Sequence, residues 1–314
     1  MHPKVLRPAT YSSAGFTLIE LLVALFIIGL LIAMTAPAIQ QSRESARRMQ
    51  CSSHLRKIGI AAHAYSESHG QLPFSHQGAG FLFSLLPYLE QTAEHRRLEL
   101  LLSGSNLSQI QANLTAARFD FYLCPDDGLA VLPGATSYNV NRGLLEVSGL
   151  QRAFVNDGSR GLSWRDVTDG LSQTALSSEM RTGPFIEAGQ PPDAQHGSWF
   201  VNTSTGGNGL TRAELTQFAQ DCVTVAQSSP PYTPATSYSY ISSGVGYNHV
   251  GSPNSPACQN AGWLFSYPAS SNHSGGVNLL LADGSVRFAA STIDINVWHA
   301  LGSRDGSETE SNSL

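Results

Sequence analysis

Residues 21–39, LLVALFIIGLLIAMTAPAI, carry no charge, and a carboxylate, Glu20, stands directly before them. An apolar run of about 20 residues is what an α-helix needs to cross the hydrocarbon of a bilayer. The stretch therefore reads as a membrane anchor, which removes one end of the chain from any globular core. Lys4 and Arg7 precede it and Arg43, Arg47 and Arg48 follow it. Charge bias alone gives no orientation.

An acidic side chain at a membrane segment costs on the order of 2–3 kcal/mol and implies a partner or a task. Cleavage after Gly15 would expose such a partner, the amine of Phe16. Within one chain that amine lies about one helical turn from Glu20, and a neighbouring subunit displaced along a filament would place its own amine beside Glu20 more favourably. Two other readings, a secretory signal cut at Ala36-Pro37-Ala38 and an uncleaved single-pass anchor, leave Glu20 without a role.

Gly15-Phe16-Thr17-Leu18-Ile19-Glu20 followed by the apolar run resembles the class III signal of type IV pilins and type II secretion pseudopilins. The resemblance implies that a prepilin peptidase cuts after Gly15 and methylates Phe16. It implies that Glu20 sets registry with other pilin-like subunits and that Pro37 kinks the helix by removing a backbone hydrogen bond. It places the chain in the inner (cytoplasmic) membrane as a single-pass protein with an extracytoplasmic head, with a surface filament as a further destination. Residues 1–15 are then a leader and 16–39 the membrane part of a long helix.

Beyond the membrane, Gln40–Tyr65 lacks proline and is rich in helix formers. Cys51, Leu55, Ile58, Ala62 and Tyr65 recur at helical spacing and make one apolar stripe, so residues 40–66 are expected to pack on a head spanning 67–302. Arg47, Arg48 and Arg56 are expected to face solvent, lipid headgroups or neighbouring subunits. Phe81 to about Leu101 reads as a helix bent near Pro87, with Leu85, Leu89 and Leu98 available for burial. Phe119–Cys124 reads as a strand and Pro125-Asp126-Asp127-Gly128 as a turn. Ser163–Asp166 has the form of a capping box, with Gly170 closing the turn before a strand at Gln173–Met180. Residues 182–271 are rich in Gly, Pro, Ser, Thr and Tyr and read as a loop-rich insertion or subdomain. Val277–Ala282 and Ser285–Ala289 flank Asp283-Gly284, the pair that favours a two-residue hairpin with positive φ. Residues 303–314 read as a flexible tail.

Residues 58–314 carry 11 Lys and Arg against 21 Asp and Glu, a net of -10. Such a head repels phosphate backbones, so no nucleic acid is expected as a partner. The four cysteines, Cys51, Cys124, Cys222 and Cys258, form no CxxC pair. They suit two disulfides in an oxidising compartment, with all three pairings open on the residues alone.

His273, nine intervening residues and Asp283-Gly284 resemble the C-terminal signature of a large family of pilin-like bacterial proteins, the domain of unknown function 1559, also labelled solute-binding-like. Ala46–Cys51, Leu86–Gln91, Leu123-Cys124-Pro125, Thr136-Ser137-Tyr138 and Val167–Gly170 with Glu179 downstream resemble its other segments. The resemblance implies an α+β, pilin-like fold, in which one long N-terminal helix, transmembrane and then head-packing, lies against an antiparallel β-sheet head. It implies no ligand, cofactor or reaction. It also favours a Cys51–Cys124 disulfide, because both cysteines lie in characteristic segments, and leaves Cys222 with Cys258.

No HExxH or Gly-Xaa-Ser-Xaa-Gly pattern is present. His273 and Asp283 have the chemistry of ligands or an acid–base pair, but Asp-Gly is accounted for by the hairpin and a histidine before a strand by structural hydrogen bonding. Asp126-Asp127-Gly128 and Asn156-Asp157-Gly158 lack the alternating oxygens of a calcium loop and read as turns. Glu179 and Arg181 read as a strand-end pair. The expectation is a non-enzymatic protein without metal or cofactor. Its two candidate roles are a pilus or pseudopilus subunit and an anchored extracytoplasmic binding protein. The second would contact polysaccharide or another surface ligand through Trp199, Tyr232, Tyr238, Tyr240 and Trp263.

Overall fold

The computed structural model describes residues 17–73, 80–102, 117–128, 135–144, 154, 161–182, 197–202, 211–229, 233–234, 246–260 and 264–306. Gly15, Phe16, the Asn156-Asp157-Gly158 turn, Tyr232, Tyr238, Tyr240, Trp263, the side chain of Trp199 and residues 307–314 lie outside them. The chain divides into two compact units, Met1–Ala46 and Arg47–Leu314.

Helix α1 runs from Leu18 to His69. In the first unit its large apolar side chains are exposed from Leu18 to Ile39, among them Phe26 and Met34. This part is long and apolar enough to cross a membrane. Pro37 lies inside the helix without ending it.

The second unit is built on the C-terminal part of α1. Cys51, Leu55, Ile58 and Ala62 are buried, with Tyr65 packed at the margin, so the apolar stripe is the head-facing side. Full burial of a leucine or isoleucine is worth about 1.5–3 kcal/mol, and the stripe anchors α1 accordingly. It meets a four-stranded antiparallel sheet of order β1-β2-β7-β8, made of β1 (Tyr138–Val140), β2 (Ala175–Glu179), β7 (Gly276–Leu281) and β8 (Val286–Ala290). Strand side chains alternate between faces. Leu176 and Leu280 join the core under α1, whereas Ala175, Val277, Leu279 and Leu281 join a core on the opposite face with Tyr247, Trp298 and Leu301. Trp298 and Leu301 come from helix α5 (Ile295–Gly302), which Asp294 caps by accepting from the Asn296 and Val297 N–H groups. The central strands are thus covered on both faces, and β2 and β7 are buried throughout.

Several sequence expectations need correction. The Phe81–Leu101 helix is three pieces: α2 (Phe81–Ser84), a 3₁₀ turn (Leu86–Leu89) and α3 (Thr92–Leu102). Pro87 sits at the start of the 3₁₀ turn, and Glu90 at φ 62 ends it in the left-handed region. Leu85 and Leu98 are buried and Leu89 is packed at the edge. Phe119–Cys124 is not a strand, because Asp120–Tyr122 is a 3₁₀ turn. The hairpin loop has three residues, Ala282-Asp283-Gly284. Gly284 N–H donates to the Leu281 carbonyl, Leu281 N–H donates to the Ser285 carbonyl, and of the pair only Gly284 has positive φ, at 86°. That is a type I turn followed by a left-handed glycine.

The insertion holds regular structure. Helix α4 (Arg212–Ser228) starts at a reciprocal Thr211–Glu214 capping box. A second sheet of order β4-β3-β5-β6 contains β3 (Gly197–Phe200), β4 (Thr233–Pro234), β5 (Ala257–Gln259) and β6 (Phe265–Ser266), with β3 and β5 parallel. Leu144, Val201, Leu215, Phe218, Cys222, Val250, Cys258 and Leu264 form a separate small core there. At the C-terminus, residues 303–306 are held rather than loose. The Ser303 hydroxyl and Gly306 N–H both donate to the Asp169 carboxylate, at 2.8 and 2.7 Å.

Candidate functional site

The first candidate is the start of α1. Thr17 is the residue before the helix, and its N–H and hydroxyl donate to one Glu20 oxygen at 2.9 and 2.7 Å, while Glu20 N–H donates back to the hydroxyl at 3.3 Å. This is a capping box, which satisfies amides that a helix start leaves open. Glu20 therefore has a local task that the sequence reading did not assign. A carboxylate has about four lone-pair sites, so this task leaves acceptor capacity for a cation.

The second candidate lies in the head around His273. The Tyr138↔Glu179 register pairs β1 with β2, and β7 on the other side brings Asn278 to Glu179. Asn278 donates to Glu179 through its backbone N–H and its side-chain amide, both at 2.7 Å. The β6–β7 loop delivers His273: Ser271 N–H donates to Asn254, the Ser271 hydroxyl donates to the Gly276 carbonyl, and His273 N–H donates to the Ser271 hydroxyl. The imidazole is buried between two carboxylates, with Nε2 3.4 Å from Glu179 Oε1 and Nδ1 3.4 Å from Asp126 Oδ2. Asp126 also pairs with Arg47 Nε at 2.8 Å. Carboxylates only accept, so an imidazole carrying both N–H groups matches this surround best. The pairing of two acids with a histidine and an arginine is how buried charge is tolerated.

Cys124 Sγ lies 3.5 Å from His273 Nε2, and Cys124 is joined to Cys51. Cys222 is joined to Cys258 in the insertion. Asp127 Oδ2 accepts from the Ser137 hydroxyl and from Thr182 N–H and hydroxyl at 2.8–2.9 Å, which accounts for this aspartate as a structural clasp. Burial first, then the Glu179 and Asp127 charges, push the Tyr138 phenol well above its ordinary range. Tyr138 therefore stays a neutral O–H beside the cluster.

Asp283 is not part of this cluster. Its carboxylate accepts from Ser285 N–H at 2.8 Å, and the loop it shapes rests on α1. His63 Nε2 lies 2.9 Å from the Ala282 carbonyl, and a Cβ on Gly59 would stand 3.2 Å from Gly284 Cα. His273 and Asp283-Gly284 thus serve different ends of β7. The expectation for the helix arginines also changes: Arg47 pairs with Asp126 and Arg48 stacks over the Phe288 ring at 3.4 Å, while Arg56 is exposed. Sequence reasoning singled out His273 and Glu179 but not their association, and it missed Asp126 and Arg47 as partners.

The family described as "Protein of unknown function (DUF1559)" matches residues 40–296, which include every residue of the His273 cluster. The chain belongs to this family. A prokaryotic N-terminal methylation motif matches residues 11–36, which span Gly15, Phe16 and Glu20. Competence protein ComGC of Halalkalibacterium halodurans is 32% identical over 63 residues, 20% of this chain and 62% of that protein. The chain spans less than two thirds of that relative's length. No solved structure matches. A methylation motif on an apolar N-terminal helix, the one helix among the described residues long and apolar enough to span a membrane, fits a membrane-anchored protein with an extracytoplasmic head.

Proposed function

We propose that this DUF1559 protein is a non-enzymatic pilin-like subunit, cut after Gly15, methylated at Phe16 by a prepilin peptidase, and assembled beside similar subunits through the first half of α1. The observation that carries the reading is the methylation motif laid over a helix whose large apolar side chains are exposed from Leu18 to Ile39. Such a surface needs lipid or other helices around it. Similarity to a competence protein over part of its length supports the same reading. Glu20 then acts twice, closing the capping box in its own chain and receiving the amine of Phe16 from a neighbour. Pilus or pseudopilus is the destination, and the extracytoplasmic face of the inner membrane the starting place.

Mass spectrometry of the intact mature chain taken from membranes tests the processing step. The expected N-terminus is methylated Phe16. A chain beginning at Met1, or one cut at Ala36-Pro37-Ala38, would overturn it.

A further inference from the structure

Four donor atoms meet under α1: Cys51 Sγ, Cys124 Sγ, His273 Nε2 and Glu179 Oε1 belong to residues that are all buried and offer ligand atoms within 4.8 Å of one another. With the two sulfurs joined, they are not metal ligands. We propose that opening the Cys51–Cys124 disulfide with a dithiol reductant converts this cluster into a closed, four-coordinate zinc site, so that disulfide and metal are alternative states of one locus.

Three features carry the inference. The donor set of two thiolates, one imidazole and one carboxylate is a set that zinc takes tetrahedrally. The spacing is already right: bonds of about 2.0–2.3 Å to a tetrahedral zinc place neighbouring ligand atoms roughly 3.3–3.8 Å apart. Here Nε2 is 3.5 Å from Cys124 Sγ and 3.4 Å from Glu179 Oε1. The two sulfurs must separate from a bond to a contact, and the remaining pairs already lie within 4.8 Å. The surrounding groups are those a zinc site uses to orient its ligands. The far nitrogen of His273 faces the Asp126 carboxylate at 3.4 Å, which would fix the tautomer with Nε2 toward the metal, and Asp126 is itself held by Arg47. Asn278 holds both oxygens of Glu179.

The chemistry balances without other components. Two electrons pass from the dithiol to the Cys51–Cys124 bond, which breaks as the reductant closes its own disulfide. The two cysteine thiols and His273 Nε2 then lose their protons to solvent as zinc binds, since thiolate and neutral imidazole are the ligand forms. Two thiolates and Glu179 leave the site with one net negative charge.

The test uses the full-length chain in detergent, with Cys222→Ser and Cys258→Ser removing the other thiols. The chain, oxidised or reduced with a dithiol that is then removed by gel filtration under nitrogen, is titrated with zinc chloride against a chromophoric chelator. Cobalt chloride serves as a spectroscopic stand-in for tetrahedral thiolate coordination. One zinc per reduced chain, none per oxidised chain, and a loss of affinity of about tenfold or more in His273→Gln and in Glu179→Gln are expected. Asp126→Asn should weaken zinc while leaving the stoichiometry unchanged. Zinc bound equally by the oxidised chain would overturn the proposal. So would zinc held by the two thiols with affinity indifferent to His273→Gln and Glu179→Gln. A reduced chain that loses its near-ultraviolet dichroism and does not recover it with zinc counts against the proposal in the same way.

Discussion

Gly59 and Gly284 meet where α1 crosses the β7–β8 turn, and they are glycine for different reasons. A Cβ at Gly59 would stand 3.0 Å from Leu280 Cδ1 and 3.2 Å from Gly284 Cα, so space is the constraint. Gly284 has open surroundings but a φ of 86°, so conformation is the constraint. Gly59→Val should cost about 1–3 kcal/mol by overpacking and Gly284→Ala about 1 kcal/mol through the left-handed backbone. Guanidinium unfolding of the two variants would show the first losing more, and the reverse order would contradict the close helix–turn contact. His249 makes a second residue-level prediction. Burial, offset in part by its bond to the Trp298 carbonyl at 2.7 Å, lowers its pKa to about 3. The unfolded histidine takes its proton near pH 6.5 and the folded one does not until about pH 3. Stability that is full above pH 6.5 is therefore lost as pH falls through that window, by up to about 1.4 kcal/mol per pH unit. Burial lowers His299 in the same direction. A His249→Gln variant should show a shallower fall in unfolding midpoint between pH 6.5 and 4, and an unchanged slope would assign the acid sensitivity elsewhere.

At the scale of elements, legibility followed how local the cause is. The 51-55-58-62 stripe was readable because helix period and burial coincide on one face, and the Ser163–Asp166 capping box because its bonds span three residues. Phe119–Cys124 has the apolar density of a strand but folds around a 3₁₀ turn. Its amides bond locally, Tyr122 to Phe119 and Leu123 to Asp120, and Phe119 and Tyr122 are buried at a spacing of one 3₁₀ turn. Helix α4 was missed although its signals are present: the Thr211–Glu214 capping box precedes Leu215, Phe218, Cys222 and Val225, spaced three, four and three apart. Gly- and Pro-rich surroundings hid them. Because α4 packs in its own small core and is tied to β5 by Cys222–Cys258, Cys222→Ser with Cys258→Ser should loosen that unit alone. Hydrogen exchange is expected to rise in residues 211–229 and 257–259 and to stay slow in β2 and β7. Uniform loss of protection would show that the two cores unfold together.

For the whole molecule, an exposed apolar helix stretch precedes a head that holds two disulfides. Glu20 is where two accounts of the anchor compete, since the capping box explains its presence without any neighbour. Thr17→Ala and Glu20→Ala separate them. If Glu20 serves the helix start alone, both variants should reduce subunit cross-linking equally. If it also receives a neighbour's amine, Glu20→Ala should abolish cross-linking while Thr17→Ala costs only the cap, about 1 kcal/mol.

The sequence by itself determined the anchor, the methylation motif, the head-facing side of α1 and the position of the β7–β8 hairpin. Each depends on composition or on neighbours a few residues apart. The disulfide pairing came from family likeness, and the structure joins the same cysteines. Only the tertiary structure decided that His273 stands between Asp126 and Glu179, with Arg47 behind them. His273 is separated by 149 residues from Cys124, which it nearly touches. No period or spacing encodes such a contact. It exists because the β1-β2-β7-β8 order carries Glu179 to Asn278 while the Cys51–Cys124 bond ties the Asp126 turn to α1. Burial then makes each charge depend on partners that chain order alone does not reveal.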